Sequence, residues 1–128
     1  MTQPRQRRID LDEVASELAS RTDAWSDQDV TTGPLTWRDA VATWPQPIHT
    51  DRSLVAEPES LGITLTSANG NEALIIIWRG GWADVDVLVG TEVTSRAPDL
   101  HDAADCVTLA ESIANQLSTR PASEESEN

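Results

Sequence analysis

Leu11, Val14, Ala15 and Leu18 recur at the i, i+3, i+4, i+7 spacing of one helix face, and Asp12, Glu13 and Glu17 fill the other. This pattern predicts an amphipathic helix over residues 9–20. Asp10 stands at its N-cap with Glu13 three residues on, a variant of the capping box, and Ile9 can staple to Val14. Residues 21–34 are rich in Asp and Thr, end in Gly33-Pro34, and read as a loop with room for a short strand. Trp37, Ala40, Val41 and Trp44 then repeat the helical spacing behind Thr36, and Pro45 stops them. They predict a short second helix with both indoles on its buried face. Pro45, Pro47 and Pro58 mark an extended connection, with residues 53–56 as a candidate edge strand.

The centre of the chain changes period. Runs 61–67, 72–78 and 82–89 have strand character and are separated by Asn69-Gly70 and Gly80-Gly81, dipeptides suited to two-residue hairpin turns. Centring the turns there sets Leu65 opposite Leu74, Ile63 opposite Ile76 and Leu61 opposite Trp78. In the second hairpin Trp78 faces Ala83, Ile76 faces Val85 and Leu74 faces Val87. One sheet face is then entirely apolar. The other mixes Thr64, Thr66, Ile75, Ile77, Trp82, Asp84, Asp86 and Leu88. Residues 91–95 offer a fourth strand. After Ala97-Pro98, Asp99 is placed to cap a helix over about 99–118, with an apolar stripe of Ala103, Cys106, Val107, Ala110, Ile113, Ala114 and Leu117. The expected fold class is α+β: two helices, a three- to four-stranded antiparallel meander, and a C-terminal helix packed on the apolar sheet face. Residues 1–8 read as a flexible basic arm, 9–118 as a single domain and 119–128 as a disordered acidic tail.

Charge narrows the function classes. Nine arginines and no lysine stand against 22 acids in 128 residues, a formal charge of −13. Phosphate binding needs a cationic surplus, so nucleic acid is excluded as an expected ligand. No apolar run approaches the ~20 residues of a membrane span, and no apolar segment follows the basic N-terminus, so the expected location is cytoplasmic. A lone Cys106 excludes an internal disulfide or a thiolate zinc site. The absence of lysine removes Schiff-base chemistry. Phe and Tyr are also absent, so five tryptophans supply all the aromatic surface.

Candidate chemistry is sparse. Asp84 and Asp86, two apart on one strand, point to the same side and could share a divalent cation if a third ligand, Glu57 or Glu92, joined them. His49 has Asp51 nearby, and His101 lies between Asp99 and Asp102, but no serine or cysteine stands in an activating context. Cys106 falls on an apolar stripe. The glycine pairs join strand to strand, unlike phosphate loops, which run from strand to helix. The segment Trp78-Arg79-Gly80-Gly81-Trp82 is more informative: Arg79 is expected across from Trp82 as a cation–π pair. With Ile75, Ile77 and Leu88, Trp82 would form an apolar patch rimmed by Asp84 and Asp86. The resulting expectation is a small acidic protein-binding module of inhibitor, immunity or chaperone-like type. It would need no cofactor and would engage a basic-surfaced partner protein, or a second copy, through this face. A structural subunit of a larger assembly is the alternative, and a divalent-metal enzyme built on Asp84 and Asp86 is a third reading.

Overall fold

A computed structural model describes residues 9–118, so the arm at 1–8 and the tail at 119–128 lie outside the described residues. In chain order the elements are α1 (Leu11–Ala19), α2 (Thr22–Asp27), β1 (Val30–Thr32), β2 (Thr36–Asp39), β3 (Pro58–Ser67), β4 (Glu72–Trp78), β5 (Trp82–Val89), β6 (Glu92–Arg96) and α3 (Ala103–Ser118). The six strands form one sheet in the order β1-β3-β4-β5-β6, with β2 also paired to β3, and every pairing is antiparallel. Helices α1 and α3 pack against each other and against β3, α3 reaching β4 and β1 as well. The chain is an α+β fold with its C-terminal helix on the sheet.

Asp10 caps α1 as its position demands, its Oδ1 accepting from the backbone N–H of Asp12 (3.0 Å) and Glu13 (3.2 Å). Leu11, Val14 and Leu18 are buried from this helix. The six residues of α2 fall where the sequence predicts a loop. The helix has no side-chain cap and a single buried residue, Trp25, so it carries no periodicity to detect. Burial of that one indole holds it, and Asp29, at φ 64°, then turns the chain into β1.

The short helix expected around Trp37 is a strand. Trp37 pairs with Leu61 across β2–β3 and bridges His49 on its other side. Trp37 and Asp39 are buried, the alternation of a strand, whereas Val41 is 66 % and Trp44 65 % exposed. The apolar spacing is accidental; pairing with the edge of β3 satisfies the backbone there, and helix formation would leave that edge bare. The candidate strand at 53–56 is likewise overturned. Arg52–Leu54 makes a single 3-10 turn behind Asp51, whose Oδ1 accepts from Ser53 N.

Both central hairpins close with three residues, one more than the expected two. Ser67 N donates to Asn71 O (2.8 Å) around Ala68-Asn69-Gly70, and Trp78 pairs with Trp82 around Arg79-Gly80-Gly81. The last loop residue has positive φ in each, 94° at Gly70 and 111° at Gly81. This is the position where a three-residue hairpin needs glycine. Each register therefore moves by one residue, so Ile63 faces Ile75 and Ile75 faces Val85. The two shifts leave β3 and β5 as expected and turn β4 over. The buried face is Leu61, Ile63, Leu65; Ala73, Ile75, Ile77; Ala83, Val85, Val87, every one of them buried.

Beyond Val89 a two-residue turn, Gly90-Thr91, leads into β6, the fourth strand of the meander. The last helix begins at Ala103, four residues later than expected. Asp99 bridges Trp82 and Leu100 N donates to Gly81 O (2.8 Å), so these residues stay extended beside β5. Asp102 supplies the cap instead, accepting from Asp105 N at 2.9 Å. At the far end of α3, Asn71 donates to Leu117 O (3.1 Å) and accepts from Gly90 N (3.0 Å), tying the helix end to two hairpins.

Candidate functional site

Inverting β4 decides what the helix-free face of the sheet displays. Following the pairing across the strands, one row runs Arg38, Ser60, Trp78, Trp82. A second runs Thr36, Gly62, Ile76, Asp84, and a third Thr64, Leu74, Asp86, Ser95. The fourth is Thr66, Glu72, Leu88, Val93. Leu74 and Trp82 are each 39 % exposed and Val93 65 %, while Ile76, Trp78 and Leu88 are half-buried.

The first row is ordered by its aromatic groups. Trp78 and Trp82 stack with ring centroids 5.4 Å apart and planes 19° from parallel. Arg38 places its guanidinium carbon 5.6 Å from the Trp78 ring centroid, a cation–π distance. Ser60 lies between them in the row, small enough to let Arg38 pass over it, and accepts from Arg38 Nη1 at 3.4 Å. The Trp78 indole N–H donates to Asp84 Oδ2 at 3.1 Å, so the polar tip of the half-buried ring is satisfied on the face itself. Asp86 accepts from Ser95 Oγ at 2.6 Å. Gly62 is required beneath this surface, because a Cβ there would collide with Thr36 Oγ1.

Of the residues expected at the site, Trp82, Asp84, Asp86 and Leu88 share this face. Ile75 and Ile77 do not: both are fully buried in the core, and Leu74, Ile76 and Trp78 occupy the face in their stead. Arg79 does not cover Trp82. It sits in the hairpin loop and pairs with Glu57 (2.9 Å) and Glu59 (3.6 Å). Its place over an indole is taken by Arg38, which the apolar spacing puts in a helix. Only the β2–β3 pairing brings that residue into the row of tryptophans.

The other candidate groups separate. Of the two nominated third ligands, Glu57 is engaged with Arg79. Glu92 pairs across from Val89, whose register places both on the helix side of the sheet, away from Asp84 and Asp86. Among the described residues no group of three or more His, Cys, Asp or Glu side chains is arranged to hold a metal ion. His49 lies beside Trp37, its backbone exchanging bonds of 2.8 and 2.9 Å with that residue. His101 precedes α3 and contacts Asp105 at 3.2 Å. Cys106 is buried, and burial, reinforced by Asp105 and Asp102, pushes its thiol up to about 12, which makes it inert as a nucleophile at neutral pH. A groove of about 930 Å³ opens on the helix side between the end of α3 and the β5–β6 hairpin, lined by Asn69, Val87, Val89, Glu92 and Gln116 among others. Its lining residues include no His, Cys or Arg. No helix among the described residues is long and apolar enough to cross a membrane. The chain matches no protein family, no curated protein and no solved structure.

Proposed function

We propose that this chain is a protein-binding module that docks a basic-surfaced partner on the helix-free face of its sheet. The single observation that carries the reading is the Trp78–Trp82 stack, with Trp82 exposed and Trp78 half-buried, flanked by Leu74 and Ile76 and bordered by Asp84 and Asp86. An apolar, aromatic centre with a polar rim is the anatomy of a protein interface, and tryptophan is the side chain most enriched at its energetic centre. Trp78 is held in place by Arg38, Asp84 and Trp82, so little side-chain entropy is left to lose on binding. The charge of −13 favours steered association with a cationic surface. An inhibitor, an immunity-type protein or a chaperone-like protein, acting in the cytoplasm, would each use such a face in this way.

The test is capture of a partner from native extract by the full chain, compared with Trp82→Ala and with Asp86→Lys. Asp84→Asn serves as a third variant that removes charge while keeping an acceptor for the Trp78 indole. A basic protein should be retained by the wild type, released at high salt, and weakened by at least ~2 kcal/mol in Trp82→Ala. Undiminished capture by all three variants, with their folds intact by circular dichroism, would remove the interface from this face.

A further inference from the structure

The two edges of the sheet are treated differently. On one side β3 is split between β1 and β2, and β2 is itself covered by His49, which exchanges two backbone hydrogen bonds with Trp37. On the other side β6 ends the sheet with all five residues exposed and nothing paired beyond it among the described residues. Natural edge strands are usually blunted by proline, a bulge, short length or charged side chains, lysine above all. β6 contains no proline or lysine, and its pairing with β5 runs without a register shift. Its two charges, Glu92 and Arg96, are of opposite sign, so they deter a foreign strand more than a second copy of this one.

Its own sequence is self-complementary. Read antiparallel to itself about Thr94, the strand sets Glu92 against Arg96, Val93 against Ser95 and Thr94 against Thr94. Both ends thus become opposite-charge cross-strand pairs. Neither Glu92 nor Arg96 takes part in an ion pair within the chain among the described residues, and the strand carries one acid and one base in a protein otherwise dominated by acids. The backbone phase agrees. Gly90-Thr91 is a two-residue turn, so Val89 and Glu92 form the hydrogen-bonded pair that closes it. Alternation then directs the N–H and C=O of Glu92, Thr94 and Arg96 toward β5, and those of Val93 and Ser95 outward. Val93 and Ser95 are the residues that a two-fold axis at Thr94 brings opposite each other. On the helix side the groove bordered by Glu92 and Thr94 leaves the approach open.

We propose that β6 is a homodimerisation edge, on which a second copy of this chain adds its own β6 antiparallel about Thr94 to make one continuous sheet. The two-fold axis stands perpendicular to that sheet, so both tryptophan-bearing faces lie on the same side. The inference stands apart from the docking reading, since it uses the strand's edge and not its face.

Sedimentation equilibrium of the full chain at physiological ionic strength tests it. The wild type should be a dimer. Glu92→Arg and Arg96→Glu each place like charges opposite one another, and each should raise the dimer dissociation constant roughly tenfold or more. Mixing the two variants in equal amounts should restore a heterodimer, because both cross-strand pairs at its interface again join an arginine to a glutamate. Val93→Pro removes an outward N–H without touching the β5 ladder and should also give monomer. A monomeric wild type overturns the proposal, as does a dimer indifferent to both charge reversals or a mixture that fails to reassociate.

Discussion

Asp39 leaves little of its surface to solvent and accepts three backbone N–H groups: Ala56 at 2.8 Å, Val41 at 3.1 Å and Glu57 at 3.1 Å. One carboxylate thus gathers the exit of β2 and the approach to β3, with Ala40 N donating to Glu57 O at 2.7 Å beside it. The bond from Ala56 does most to hold the Asp39 carboxyl below its ordinary 3.8; burial opposes this, and the bonds from Val41 and Glu57 and the charge of His49 assist. A carboxylate depressed in the folded state stabilises fully above its unfolded pKa. That contribution is lost as pH falls from 3.8 through the lower folded value, because the unfolded chain takes up the proton first. Asp39→Asn turns one acceptor atom into a donor facing those N–H groups. It should lower the melting temperature clearly at pH 7, and the gap to wild type should narrow as the buffer is taken below 3.8. A gap that stays constant with pH would mean that the charge on Asp39 plays no part in holding the segment. Asp12 and Asp51 are depressed as well, by hydrogen bonds from Arg52 and from Ser53, and they push the acid limb of the stability curve in the same direction.

At the scale of elements, β4 shows what the residue pattern could and could not specify. Its last six residues, Ala73 to Trp78, are all apolar, so period-two alternation favours neither face. Two one-residue shifts, one in each hairpin, cancel for the outer strands and invert only this one, and both registers give nine apolar side chains on the buried face. The deciding information lies in the loops, where a glycine at the third position closes three residues as readily as Asn-Gly closes two. Mutation separates the registers. Ile75→Ala, at a fully buried site, should cost about 2–5 kcal/mol in urea unfolding, and Ile76→Ala, half-buried on the open face, should cost well under half of that. The reverse order would restore the two-residue turns. The rest of the fold divides along the same physical line. Elements with strong periodicity and caps, α1 and the body of α3, were legible. Those held by tertiary contacts with no local pattern of their own, α2 by the burial of Trp25 and β2 by pairing with β3 and His49, were not. For the site, Trp82, Asp84, Asp86 and Leu88 were legible because alternation along β5 is unambiguous. Arg38 and Trp78 were not, because their positions depend on a strand with helical apolar spacing and on a strand turned over.

For the whole molecule the dominant electrostatic fact is imbalance, 22 acids against nine arginines. The arginine ion pairs are few: Arg21 with Glu17 and Glu111, Arg52 with Asp12, and Arg79 with Glu57 and Glu59 among the described residues. Every partner in them is at least 28 % exposed, and exposed pairs contribute only ~0–1 kcal/mol each. Acids outnumber cations more than two to one, so compaction works against a net repulsion. Salt weakens both effects, and the sign of its influence shows which is larger. The Debye length shrinks from ~30 Å at 0.01 M to ~8 Å at 0.15 M ionic strength, short enough to separate carboxylates on opposite sides of a small domain while the paired groups remain in contact. Repulsion acts over those longer distances, so it is screened first. The melting temperature at neutral pH should therefore rise between these two ionic strengths by several degrees, as expected for ~1 kcal/mol in a domain of this size, and then flatten. Replacing sodium chloride by another salt of univalent ions at equal ionic strength should give the same rise, because screening depends on ionic strength and not on ion identity. A melting temperature that falls as salt is added would show that the arginine pairs, few as they are, outweigh the repulsion.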